Sequence, residues 1–183
     1  MSILRNALLA GLVSLGLLWG PGPSEVAAQG AEADAYVRTV AAHFQVPESE
    51  AHILLEERMS TEELPVLLLL ARETGIAPTA LLASRRSGQN WIGVSRRFDM
   101  PASRFHVEIP MDVAGPELQR AMRAFAETPS AQWGSIDFSD EEIMALVHVK
   151  VFSRYFELSP ERIMEARSEA GNWIGVPARL ARP

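Results

Sequence analysis

Five arginines crowd one stretch of the chain: Arg85, Arg86, Arg96, Arg97 and Arg104. Guanidinium groups at this density support recognition of anions through forked, charge-assisted hydrogen bonds, and they form the candidate binding surface. Such a run also serves as a solvated face whose arginine stems cover apolar surface. The later part of the chain does not reproduce Arg86 or Arg96.

Catalytic candidates are sparse. Glu169, in Ser168-Glu169-Ala170-Gly171, is the one carboxylate placed where a glycosidase-like acid would sit, and sugar-bond cleavage ordinarily needs two. His43, His52, His106 and His148 are scattered, with no pair at i, i+4 to hold a metal. No glycine-rich phosphate loop, nucleophile elbow or Ser/His/Asp arrangement is readable. No catalytic, cofactor-binding or metal-binding residue is assigned, and no cofactor is expected.

The absence of cysteine removes thiol catalysis, cysteine-ligated zinc, disulfides and a lipid-modified cysteine together. A formal charge of -6 and a pI near 5.3 give phosphate backbones no general reason to bind. The stretch WIGVSRRFDMPASRF has the cadence of a helix-turn-helix, yet an acidic chain with an export signal is not expected to meet DNA. Nucleic acid is excluded as a partner.

The export signal is the first segment, residues 1–28. An early Arg5 is followed by an apolar run from Ala7 to Trp19, a Pro/Gly break and the small residues Ala27-Ala28. The run is too short to span a bilayer comfortably, so membrane association is expected only if this segment stays uncleaved. The mature chain is expected to be periplasmic or extracellular.

The elements that position these residues are helical and occur in two related sets. NWIGV occurs at Asn90 to Val94 and again at Asn172 to Val176, an offset of 82 that also aligns Pro78 with Pro160 and Arg85 with Arg167. Further upstream, Ser60-x-x-Glu63 aligns with Ser139-x-x-Glu142 at an offset of 79. Both have the form of a helix capping box. The expected organisation is a first helical half over 29–106, a connecting insert over 107–138 and a second half over 139–183.

A shorter element recurs as FQVPESEA, TGIAPTAL, FDMPASRF and FELSPERI. Each reads as a helix end, a tight connection and a new helix with proline or a small residue in its first turn. Tyr36, Val37, Val40, Ala41 and Phe44 form one helical stripe. LVHVKVF alternates like a strand, but the capping box before it favours helix. The fold class is therefore all-α, without substantial sheet. Trp91 and Trp173 are expected to be structural anchors, with NWIGV opening the same helix in both halves and Asn90 and Asn172 as its caps.

Two resemblances follow from these motifs. ARETGIAPTALLASRRSGQNW is similar to the helix pair that leads into the catalytic Glu-Ser of lytic transglycosylases, but Ser84, Arg85, Arg86 and Ser87 stand where that acid would be. The pattern Arg85-x-x-Gly88-x-x-Trp91-x-x-Val94, with its second copy, resembles a group of exported, all-helical bacterial proteins that brings no activity with it. With no catalytic constellation readable, the expected role, reached partly by elimination, is a binding or scaffolding protein for an envelope protein or wall polymer. The alternative is a wall-polymer hydrolase or binder.

Overall fold

The computed structural model describes residues 23–57 and 59–181, so the expected signal segment lies largely outside the described residues. Nine α-helices and three short 3₁₀ turns occur there, and no strand. α1 (Pro23–Phe44) and α2 (Glu48–Glu56) are followed by α3 (Leu64–Thr74), α4 (Pro78–Arg86) and α5 (Trp91–Arg97). α6 (Pro116–Glu127) lies in the insert. α7 (Asp140–Phe156), α8 (Pro160–Ala170) and α9 (Val176–Leu180) complete the chain.

The centre of the fold is the pair α3 and α7, which pack on each other. Every residue from Leu64 to Leu70 is buried, as are Leu146 to Val149, Val151 and Phe152. A helix enclosed on all sides has no polar face to maintain, which is why LVHVKVF can alternate like a strand and still be helical. The expected capping boxes form at both entrances: Ser60 N–H donates to Glu63 Oε2 at 3.0 Å around the 3₁₀ turn Thr61–Glu63 that leads into α3, and Ser139 N–H donates to Glu142 Oε2 at 2.8 Å at the start of α7 itself. Pro65 falls within the first turn of α3, where its missing N–H costs nothing.

α1 lies across this pair and also meets α2 and α9, while α6 covers α7. The stripe from Tyr36 to Phe44 faces inward, each member buried. Side chains from Tyr36 to Val176 form one continuous apolar cluster. The described residues of the segments 29–106 and 139–181 thus share a single core.

The four recurring connections have a common backbone geometry. The second residue of each, Gln45, Gly75, Asp99 and Glu157, is left-handed, with φ between 56° and 71°. The aliphatic residue that follows donates its N–H five residues back in three of them: Val46 to Ala41 O, Met100 to Ser95 O and Leu158 to Ser153 O. This is the Schellman closure of a helix, which also wants an apolar residue at that site. In the fourth, Ile76 N–H is taken by the Thr74 hydroxyl.

One expectation is corrected. Asn90 and Asn172 do cap alike, accepting from Gly93 N–H at 2.9 Å and Gly175 N–H at 2.8 Å. The helix that follows differs, however, because α5 begins at Trp91 whereas α9 begins only at Val176. The cause is Pro177, which stands at the offset where the first copy has Ser95. Proline there cannot donate back to Trp173 and its ring would crowd that carbonyl, so residues 171–175 form turns instead.

Candidate functional site

The arginine-rich stretch is largely committed to the chain's own acids. Arg86 pairs with Glu57, Arg104 with Glu73, and Arg96 with Asp137 at 3.2 Å. Arg97 is exposed and lies over the Phe98 ring, its Cζ 5.8 Å from the centroid. The helical turns therefore distribute the five guanidinium groups among separate partners, and they do not form one uncommitted basic face.

Arg85 is the most enclosed of them and organises a network around Trp91. Its Cζ sits 5.2 Å from the Trp91 ring centroid. Nε and Nη2 donate to Glu63 Oε1 at 3.1 and 2.9 Å, and Nη2 also reaches Asp140 Oδ2 at 2.6 Å. Glu63 Oε1 further accepts from Trp91 Nε1 at 3.1 Å, and Asp140 Oδ1 from the Trp91 backbone N–H at 2.7 Å. Each charged or polar atom of the cluster has a partner, the condition under which a partly buried ion group is tolerated.

The second tryptophan repeats this arrangement and leaves it open. Arg167 Cζ lies 5.3 Å from the Trp173 centroid. The Trp173 backbone N–H donates to Glu62 Oε1 at 3.1 Å, so the Ser60–Glu63 segment supplies a carboxylate to the Trp173 turn just as the Ser139–Glu142 segment supplies one to the Trp91 turn. Yet among the described residues Arg167 has no ion pair, and its Nε is buried without a hydrogen-bond partner. The carboxylate that corresponds to Glu63 is Glu142, and it is turned to Arg120 of α6. Thr61 stands in the first capping box where Asp140 stands in the second. The insert has in effect removed the acid that Arg167 would otherwise hold.

Space accompanies the open guanidinium. A cavity of about 470 Å³ is lined by Asp112, Glu117, Met164, Arg167 and Ser168 among others. A second, of about 240 Å³, is bounded by Glu62, Glu117, Glu141, Met144, Ala145, Arg167 and Trp173. They share Glu117 and Arg167. Gly115 leaves room for the Glu117 carboxylate, whose Oε2 a Cβ at 115 would meet at 2.6 Å.

Behind Trp173 the stack continues into the core. His148 lies parallel to the indole, with ring centroids 4.8 Å apart. Its Nδ1 is 2.6 Å from Met144 O and its Nε2 is 2.6 Å from Tyr36 Oη. A neutral imidazole with the proton on Nδ1 satisfies both bonds, donating to the carbonyl and accepting from the phenol. Burial pushes its pKa down from 6.5 to about 3; the Met144 carbonyl works against that and the Arg167 charge adds to it.

Of the other sequence candidates, Glu169 is exposed on α8, and it lines none of these cavities. His43 is half-buried at the end of α1, its pKa lowered to about 4 by burial and by the Arg72 and Arg154 charges. His106 packs on Trp133 and Phe125. Among the described residues no cluster of histidines and carboxylates is arranged to hold a metal. Among the described residues the exposed large apolar side chains Ile53, Met111 and Tyr155 belong to different segments: α2, the connection before α6, and α7. An apolar concavity instead occurs as a groove of about 490 Å³ between Phe44, Leu68, Ile76 and Pro78, with Arg72 on its lip.

Arg167 and its cavities were not among the sequence candidates. The signal was present in the sequence: at the offset of 82 Arg85 meets Arg167, while at the offset of 79 Thr61 meets Asp140. One arginine thus keeps an acid that the other lacks.

The architecture defines an all-α protein with two tryptophan-arginine turns built on one core. No family model, curated protein or solved structure matches the chain.

Proposed function

We propose that this chain is an exported binding or scaffolding module that engages another macromolecule of the cell envelope, and that it does so at the Trp173–Arg167 cavities. The observation that carries the reading is the unpaired Arg167 guanidinium, set beside the fully paired Arg85. A buried polar atom without a partner costs free energy, and a ligand group is one means of recovering it. Arg96, Arg97 and the other arginines then serve as fold-stabilising or solvated residues.

Site-specific photo-crosslinking in intact cells tests this reading. A photoreactive residue replacing Ser168, at the rim of the larger cavity, is expected to give a discrete adduct that disappears when Arg167→Gln is added. The same probe at the exposed Glu127 is expected not to give it. An identical pattern from both positions, or an adduct indifferent to Arg167, would contradict the proposal.

A further inference from the structure

We infer that the two cavities that share Glu117 and Arg167 bind a small zwitterionic group, with a carboxylate and an ammonium separated by a short apolar spacer, as at the ends of a short peptide. This rests on the binding reading above and specifies the chemistry of the ligand.

The chain itself displays what such an arginine accepts. At Arg85, one carboxylate oxygen sits 3.1 Å from Nε and 2.9 Å from Nη2, with the guanidinium over the Trp91 ring. Arg167 stands over Trp173 at nearly the same distance, but its Nε faces no acceptor. Guanidinium groups recognise planar carboxylates through paired, charge-assisted hydrogen bonds, and among the described residues Arg167 has no such partner. The missing partner is therefore a carboxylate.

A simple anion is nevertheless a poor fit. Glu62, Glu117 and Glu141 border the same space, and three carboxylates around one guanidinium repel a lone negative charge. An ammonium carried by the same ligand reverses the sign of that interaction. Glu117 is shared by both cavities and is half-exposed, which makes it the natural partner for the ammonium. Glu62 already accepts from the Trp173 backbone with Oε1. Met144, Ala145 and Trp173 are the apolar lining residues of the smaller cavity, beside which a short hydrocarbon spacer would lie. Spaces of about 240 and 470 Å³ suit a ligand of one or two amino-acid residues.

The test is titration of the full chain with alanyl-alanine, followed by ¹⁵N spectra of the four indole N–H groups. Two blocked relatives are run beside it, N-acetyl-alanyl-alanine and alanyl-alanine amide. Alanyl-alanine is expected to shift the Trp173 indole and leave that of Trp91 in place, with a Kd of about 0.1–1 mM. Both blocked peptides should bind at least ~10-fold more weakly.

Arg167→Gln should abolish the response. Glu117→Gln, at the cavity rim and away from the core, should weaken alanyl-alanine while leaving the acetylated peptide unchanged. Equal binding of all three peptides, binding unaffected by Glu117→Gln, or no Trp173 shift with any of them would overturn the inference. Loss of the peptide response alongside Arg167-dependent crosslinking from position 168 overturns the ligand class and spares the binding reading. Loss of that crosslinking is what removes the reading itself.

Discussion

Tyr36 Oη lies 2.6 Å from His148 Nε2 across 112 positions of sequence, joining α1 to α7 inside the core. His148 is fully buried, and its pKa is lowered from 6.5 to about 3 by that burial. The unfolded chain thus binds a proton between these values that the folded chain does not. His43, lowered to about 4, acts in the same direction. The histidine contribution to stability is complete above pH 6.5 and falls as the pH drops toward 3, by up to about 1.4 kcal/mol per pH unit for each proton. Urea denaturation at a series of pH values should show this slope, and Tyr36→Phe/His148→Leu should reduce it by about one proton. An unchanged slope in the double variant would contradict the assignment.

Removing one side of that bond is expected to cost more than removing both. Tyr36→Phe leaves the His148 Nε2 acceptor in an apolar surround, a penalty of about 1–3 kcal/mol. The double variant replaces both polar groups and should recover much of it, apart from imperfect packing. Stability curves of the two single variants and the double variant give the coupling directly.

Arg85 and Arg167 should behave differently when truncated, although they align in sequence. Arg85→Ala strands Glu63 and Asp140, whose side chains are only 13% and 20% exposed, and is expected to cost about 2–4 kcal/mol. Arg167→Ala frees no acid and removes a buried, unpartnered nitrogen, so its cost should stay below about 1 kcal/mol. Equal losses of thermal stability would show that Arg167 is held by the fold as tightly as Arg85.

The left-handed residues that close the helices offer a prediction of opposite sign. Glu157 has φ 56° and Gly75 has φ 71° in corresponding positions. Glu157→Gly should stabilise the chain by about 0.5–1 kcal/mol, since glycine adopts this geometry without steric cost. Gly75→Ala should destabilise it by about 1–2 kcal/mol, and for conformational reasons alone, because a Cβ at 75 meets nothing within 4 Å. Midpoints of thermal unfolding decide both.

Trp91 and Trp173 are both buried, but only Trp91 has its indole N–H tied to a carboxylate of a closed network, at 3.1 Å from Glu63. Trp91→Ala should therefore cost about 3–5 kcal/mol and add the loss of that network. Trp91→Phe should retain most of the packing yet leave Glu63 one donor short, at about 1 kcal/mol. Circular dichroism on heating separates the two.

Much of the framework could be read directly from the chain. Pro78, Pro116 and Pro160 mark helix starts because the backbone N–H that proline lacks would have no partner there in any case. The capping boxes at Ser60 and Ser139 act within four residues, and the aliphatic residues Val46, Met100 and Leu158 answer the local demand of a Schellman turn. The inward stripe of α1 is likewise written in its spacing. Local rules suffice for all of these, because the interacting groups are neighbours in sequence.

What the tertiary structure decided is which charges find partners. Asp140 reaches Trp91 across 49 positions and Glu62 reaches Trp173 across 111, while Arg120 takes up Glu142 and leaves Arg167 without it. Pairings of this kind depend on how α3, α6 and α7 pack, because a hydrogen bond forms only when donor and acceptor come within about 3 Å of each other. The sequence by itself determined two similar tryptophan turns; only the packing of the helices made one a closed ion network and the other an open one.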